Sequence, residues 1–127
     1  MKYILLIYAE DGAWAPDEHR VALDESIDLC HKLNEQGRYV AAAPLHPVST
    51  ATTVRVRGGK QTISDGPFAE TKEHLAGYFV IDVDDLDQAI GIAAAIPGTR
   101  RGSTEIRPIV ELHNLPVLKR RPASEVS

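Results

Sequence analysis

Sulfur is scarce in this chain. Among 127 residues there is one cysteine, Cys30, and one methionine, Met1. A single thiol excludes an internal disulfide framework and any zinc ribbon. A basic excess is lacking too. Lys and Arg number 14 against 18 Asp and Glu, a net charge of −4, and the isoelectric point is near 5.7. The domain as a whole therefore has no attraction for nucleic acid or for an anionic membrane. Long hydrophobic runs are also missing. The most apolar stretch, Tyr3 to Ala9, meets Glu10-Asp11 at once. It is too short to span a bilayer, and no small-residue cleavage site follows it. The expectation is a soluble, cytoplasmic chain with neither nucleic acid nor membrane as a partner. Phosphate-loop, dinucleotide, nucleophile-elbow and His-Glu-x-x-His patterns are absent, so no cofactor is expected.

The apolar fraction of 43% and the charged fraction of 25% are those of an ordinary globular protein, and the length suits one domain. The run Tyr3–Tyr8 is apolar at every position, as in a strand covered on both faces. Asp17 is a suitable N-cap for a helix running to about Gln36. Ala22, Leu23, Ser26, Ile27, Leu29, Cys30 and Leu33 recur there at three- and four-residue steps, one helical stripe, and Gly37 stops it. Arg38–Leu45 reads as a strand, Thr52–Arg57 as another, and Gly58-Gly59 as a hairpin turn into Lys60–Ser64. A loop from Asp65 to Glu73 leads to a strand over Gly77–Val83. Asp85 with Gln88 caps a second helix, in which Leu86, Ala89, Ile90, Ala93 and Ala94 form the buried stripe and Pro97-Gly98 the stop. Thr104–Leu112 is the last strand. One domain over residues 1–113 and a polar tail over 114–127, with Lys119-Arg120-Arg121-Pro122, complete the chain.

Strand–helix–strand, hairpin, strand–helix–strand is a ferredoxin-like α+β plan, an antiparallel sheet with two helices on one face. The first strand then poses a packing problem. Tyr3, Leu5 and Ile7 point one way, and Ile4, Leu6 and Tyr8 the other. Two helices cover only one face, so a second copy of the sheet is expected on the other, giving a two-fold homodimer.

The string Asp65-Gly66-Pro67-Phe68-Ala69-Glu70-Thr71-Lys72-Glu73, preceded by Thr62-Ile63-Ser64, is distinctive. With Ala51–Arg55 before it and Glu105–Glu111 after it, the chain closely resembles the YCII-related family of DGPF-domain proteins from about Lys2 to Leu112. The resemblance implies a dimeric α+β barrel of ferredoxin-like subunits. It implies little about activity: the family's role is largely unassigned, and many members are encoded beside alternative sigma factors. More distant YCII-like relatives have a proposed His–Asp dyad, the His on the first helix and the Asp after the second. Here Ser26 stands near the His position and Ile96-Pro97-Gly98 where the Asp would be, so the dyad is not carried over. Ala76 stands where the family usually has Gly.

Asp65 is the leading candidate for chemistry, a carboxylate at a strand end beside a Pro-stiffened loop. It suits a general base or a polar-ligand anchor; the competing structural role is to bond the backbone of its own turn. His46, which closes a strand beside Pro47, is its natural partner for proton transfer if their strands are neighbours. The other histidines, His19, His31, His74 and His113, show no metal-ligand spacing, and no metal is expected. Tyr8, Phe68 and Tyr78 can line a pocket between sheet and loop, with Glu70, Thr71 and Lys72 as its polar rim and Arg107 as an anion contact. Core packing, dimer contacts and solvation are the plainer roles of the same residues. Trp14 is a candidate lid or interface anchor, and Cys30 a small buried apolar residue. Two functions follow. The first is a small-ligand-binding or accessory, regulatory protein, linked through the resemblance to sigma-factor regulation. The second is a cofactor-independent enzyme using Asp65 with His46 on a small polar organic substrate. The second needs Asp65 partly buried with an oxygen facing a cavity.

Overall fold

The computed structural model describes residues 1–119. The main sheet comprises β1 (Lys2–Ala9), β2 (Tyr39–Pro44), β5 (His74–Asp82) and β6 (Ser103–Pro108), in the order β2-β5-β1-β6. All three pairings are antiparallel. Helix α1 (Pro16–Glu35) joins β1 to β2, and α2 (Leu86–Ala95) joins β5 to β6. This is the ferredoxin-like α+β fold, its helices on one face of the sheet. β3 (Thr52–Arg57) and β4 (Lys60–Asp65) pair only with each other, as a separate hairpin. Its turn puts Gly58 at φ 58° and Gly59 at φ 77°. Two successive positive φ values suit the twist of a two-residue hairpin, and two glycines adopt them without steric cost.

Register decides which side chains reach the core. Leu5 lies opposite Phe79 on one side and Ile106 on the other, while Tyr3 lies opposite Ile81. Leu5 and Ile81 are completely buried. They pack with Leu33 of α1 and with Ala89, Ile92, Ala93 and Ile96 of the α2 region. The opposite face carries Ile4 beside Val80 and Leu6 beside Tyr78. These four are only half-buried, shielded by their neighbours in the sheet, and no described helix packs over them. The second apolar face read from the sequence is therefore present, and this chain leaves it open.

Four expectations change in the structure. Helix α1 starts at Pro16 with Ala15 as its N-cap, not at Asp17. Proline presets the helical φ at the first position, and the Glu18 carboxylate accepts the Ala15 N–H at 3.0 Å, so Asp17 falls in the first turn. In α2, Leu86 and Ile90 are about half exposed and Ala94 is exposed; Ile92 and Ile96 take the core positions, because the helix lies on the sheet through its Ala89–Ile92–Ala93 side. Strand β6 ends at Pro108 rather than Leu112. Its partner runs out there: Pro108 lies opposite Tyr3, and Ile109 adds one last bond to the Lys2 carbonyl at 2.9 Å. Finally, β5 begins at His74, three residues before the expected Gly77. Asn114–Lys119, the start of the expected tail, has no helix or strand, and residues 120–127 lie outside the described residues. Among the described residues no helix is long and apolar enough to cross a membrane.

Candidate functional site

Two cavities lie on opposite faces of the sheet. The first is a shallow polar hollow of about 540 Å³ between the sheet and the end of the Asp65–Glu73 loop. Tyr8 of β1 and Ser103, Thr104 and Glu105 of β6 form one wall; Thr71, Lys72 and Glu73 form the other, with Glu10 at the rim. Three of its charged side chains, Glu10, Lys72 and Glu73, already have partners. Lys72 lies 3.6 Å from Glu10, Ser103 donates to the Glu73 carboxylate at 3.2 Å, and Thr71 donates to the Glu73 carbonyl.

The hollow gathers Tyr8, Thr71 and Lys72, three residues that the sequence marks for ligand binding, and it leaves out the rest. Tyr78 and Arg107 share the open sheet face, opposite Leu6 and Ile4, but line neither cavity. Phe68 is 76% exposed, and Glu70 is exposed. Asp65 is exposed at the end of β4, opposite Thr52. The start of its loop is fastened by backbone and hydroxyl instead: the Gly66 N–H donates to Ala51 at 2.7 Å, and Thr53 donates to the Gly66 carbonyl at 2.8 Å. His46 is exposed after β2. Since β2 pairs with β5 and β4 with β3, strand pairing does not join His46 to Asp65, and neither lines these cavities.

The second cavity is a deeper groove of about 600 Å³ between α1 and the β2 edge of the sheet. It exists because α1 faces the sheet with small side chains. Ala22, Ser26 and Cys30, spaced four apart, share one side of the helix and look toward Ala42 of β2. Ile7, Phe79 and Ile96 make its floor. Polar groups are confined to a few positions: His19 with Trp14 toward one end, and His31, Asn34 and Tyr39 toward the other. Among the described residues, no aspartate, glutamate, lysine or arginine lines the groove. Ser26 is not free chemically, since its hydroxyl donates to the Ala22 carbonyl at 2.9 Å. Burial pushes the Cys30 thiol up, so it is a neutral thiol and not a nucleophilic thiolate at neutral pH.

Sequence reading missed this groove. Its lining residues look like core on the helical period, and a cavity left between two elements has no local signature.

Trp14 is held in place from outside. The Arg101 guanidinium lies 4.3 Å from its ring centre, a cation–π contact. Arg101 donates to Glu18 at 2.6 Å and to the Ala13 carbonyl at 3.1 Å. This pairing, with the Ala15 N–H second, pulls the Glu18 carboxyl down to about 2. A depressed carboxylate contributes its stabilisation above its ordinary range, near 4.5, and loses it as pH falls through about 2. Arg101→Ala is expected to raise the Glu18 midpoint by about a unit or more, read as the ¹³C shift of its carboxyl carbon during an acid titration. An unchanged midpoint would mean that the pair is not formed in solution. Among the described residues no three His, Cys, Asp or Glu side chains gather to hold a metal.

The model of the YCII-related domain matches residues 1–113. The chain belongs to the YCII-related family. A relative within reach of direct alignment, an uncharacterised protein of Rhizobium meliloti (strain 1021), is 36% identical over 116 residues, covering 86% of this chain and 92% of the relative. Among solved structures, this YCII-related chain is similar to the 5-chloro-2-hydroxyhydroquinone dehydrochlorinase of Burkholderia phenoliruptrix AC1100, in complex with 2,5-dihydroxybenzoquinone. That likeness has a TM-score of 0.47 at 11% identity, over 87% of this chain and 94% of the other. So distant a likeness transfers neither substrate nor residue.

Proposed function

We propose that this YCII-related chain binds a small apolar molecule in the groove between α1 and the sheet. The observation that carries this reading is the groove itself: about 600 Å³ of half-enclosed space with mostly apolar walls, its polar side chains gathered toward its ends apart from Ser26, whose hydroxyl is spent on the helix backbone. Those are the properties of a ligand pocket. The polar hollow is a weaker site, since a ligand there must displace groups already paired in water's reach. Catalysis finds less support. Ser26 and Ile96, which stand near the dyad positions of distant relatives, both line the groove. Isoleucine holds no proton, and the Ser26 hydroxyl is spent on the helix backbone. Asp65 lacks the burial that the acid–base alternative needs, and it lines neither the hollow nor the groove.

We propose also that two copies pair through the open sheet face. Ile4, Leu6, Tyr78 and Val80 supply its apolar surface. The hairpin adds Val54, Val56 and Ile63, each more than half exposed, on an element that by itself is marginal in water.

Ligand-observed ¹⁹F NMR with a library of fluorinated fragments tests the groove. Binders should protect Cys30, the one thiol of the chain, from slow alkylation by excess iodoacetamide at alkaline pH, where the thiol begins to ionise. Ser26→Leu, which places a branched side chain in the middle of the groove, should weaken them at least tenfold without loss of thermal stability. Binders that leave Cys30 unprotected, or that Ser26→Leu retains, would remove the groove as the site.

A further inference from the structure

The charges of the open sheet face fix how two copies meet on it, an inference that rests on the sheet-to-sheet pairing proposed above. Register lays the side chains of this face out in two rows across the strands. In one, Val80 of β5, Ile4 of β1 and Arg107 of β6 stand side by side; in the other, Tyr78, Leu6 and Glu105 do. The rows lie two residues apart along each strand, about 7 Å at the strand rise. Both run out at β6, an edge strand, and there they end in opposite charges.

Arg107 and Glu105 are exposed, and among the described residues neither takes part in an ion pair. A partner laid over this face takes both charges out of water, which is costly unless each is paired. Two-fold symmetry limits the choices, because the same patch must serve both copies. An axis running along the strands at the centre of the sheet lays β6 of one copy over β2 of the other. Its charges then meet Ala41 and Ala43, the small apolar residues beside Val80 and Tyr78. Shifted onto β6, such an axis sets Arg107 against the partner's Arg107 and Glu105 against the partner's Glu105. An axis running across the strands, between the two rows, lays each row over the other. Arg107 then meets the partner's Glu105, and the apolar residues of one row meet those of the other.

We infer that two copies pair about a two-fold axis running across the strands, with Arg107 of each bonded to the partner's Glu105. Symmetry makes this ion pair twice, and a guanidinium can hold a carboxylate through two parallel hydrogen bonds. Glu105 is also the fourth charged side chain that lines the polar hollow. The partner's Arg107 therefore adds to the wall of that hollow, which is complete only in the dimer.

Glu105→Arg, Arg107→Glu and the double swap test this by sedimentation velocity and native mass spectrometry. Either single swap sets like charges against each other in both pairs, and should raise the dissociation constant of the dimer by about 100-fold. The double swap exchanges the signs and should return it to near that of the parent. Mixed in equal amounts, the two single variants should form the heterodimer in preference to either homodimer, a result that a loss of folding does not produce. Both positions are exposed, so the melting curves at high dilution should match that of the parent. If Val80→Lys separates the copies and neither single swap does, or if the double swap fails to restore pairing, the Arg107–Glu105 contact is wrong and the sheet-face reading survives. If the parent is a monomer, both fall together.

Discussion

Gly102→Ala is expected to lower the stability of the fold by about 3 kcal/mol or more, toward the upper end of what overpacking costs. Gly102 sits in the turn just before β6, where the chain passes against the end of β1. A Cβ there would lie 2.0 Å from the Tyr8 carbonyl oxygen and 3.1 Å from its carbon, with the Ala9 Cα at 3.3 Å. These are backbone atoms of a paired strand, held by the Tyr8–Ser103 register. No rotamer change relieves the contact, so β6 must back away from β1 and spoil the pairing that flanks the core. The melting temperature should fall by about 10 °C or more. Gly91→Ala is the matched control. Nothing lies within 4 Å of a Cβ at Gly91, which occupies an exposed position inside α2. There the same substitution should stabilise by about 0.5–1 kcal/mol, because alanine costs less backbone entropy in a helix. Urea denaturation of the two variants beside the parent reads both signs. A Gly102→Ala protein as stable as the parent would show that β1 and β6 do not approach this closely.

Val80→Lys is expected to separate the proposed dimer. Val80 lies between Ile4 of β1 and Ala41 of β2 in the middle of the open sheet face. A lysine there is harmless in an isolated chain, since its amine reaches water. In a sheet-to-sheet pair it becomes an unpaired buried charge, and the two-fold axis counts it twice. The dissociation constant should rise by about 100-fold or more. Native mass spectrometry at micromolar concentration should read about twice 13.9 kDa for the parent and 13.9 kDa for the variant. An unchanged melting curve of the variant at high dilution keeps the result a statement about association. A parent that is monomeric at these concentrations would overturn the pairing.

The two tests draw on different parts of the fold's logic, and they differ in how early that logic becomes visible. The strands were legible because their signatures are local. Tyr3–Tyr8 is apolar throughout, Gly58-Gly59 stands between two alternating runs, and Asp85 with Gln88 marks the start of α2. The open sheet face was legible too. Ile4 and Leu6 alternate with Tyr3 and Leu5, and the element order supplies helices for one face only. The DGPF string and its flanks carried the family resemblance, which the match over residues 1–113 bears out.

The site was legible only in part. Tyr8, Thr71 and Lys72 do meet in a polar hollow, because β1 and the loop before β5 are brought together by the β1–β5 pairing. The larger groove was not legible at all. Ala22, Ser26, Cys30 and Ala42 are each small, and at the level of sequence a small residue on a buried stripe means close packing. In the structure the space beside these small residues is open, while Leu29 and Leu33 of the same helix pack at the core. Likewise Arg101 reads as one more loop cation until the turn before β6 brings it over Trp14. Composition and periodicity determined the elements, their order, the need for a second covered face and the absence of charge excess, since each depends on residues near in sequence. Only the tertiary structure decided where space was left empty and which charges met, since both depend on distances between elements far apart in the chain.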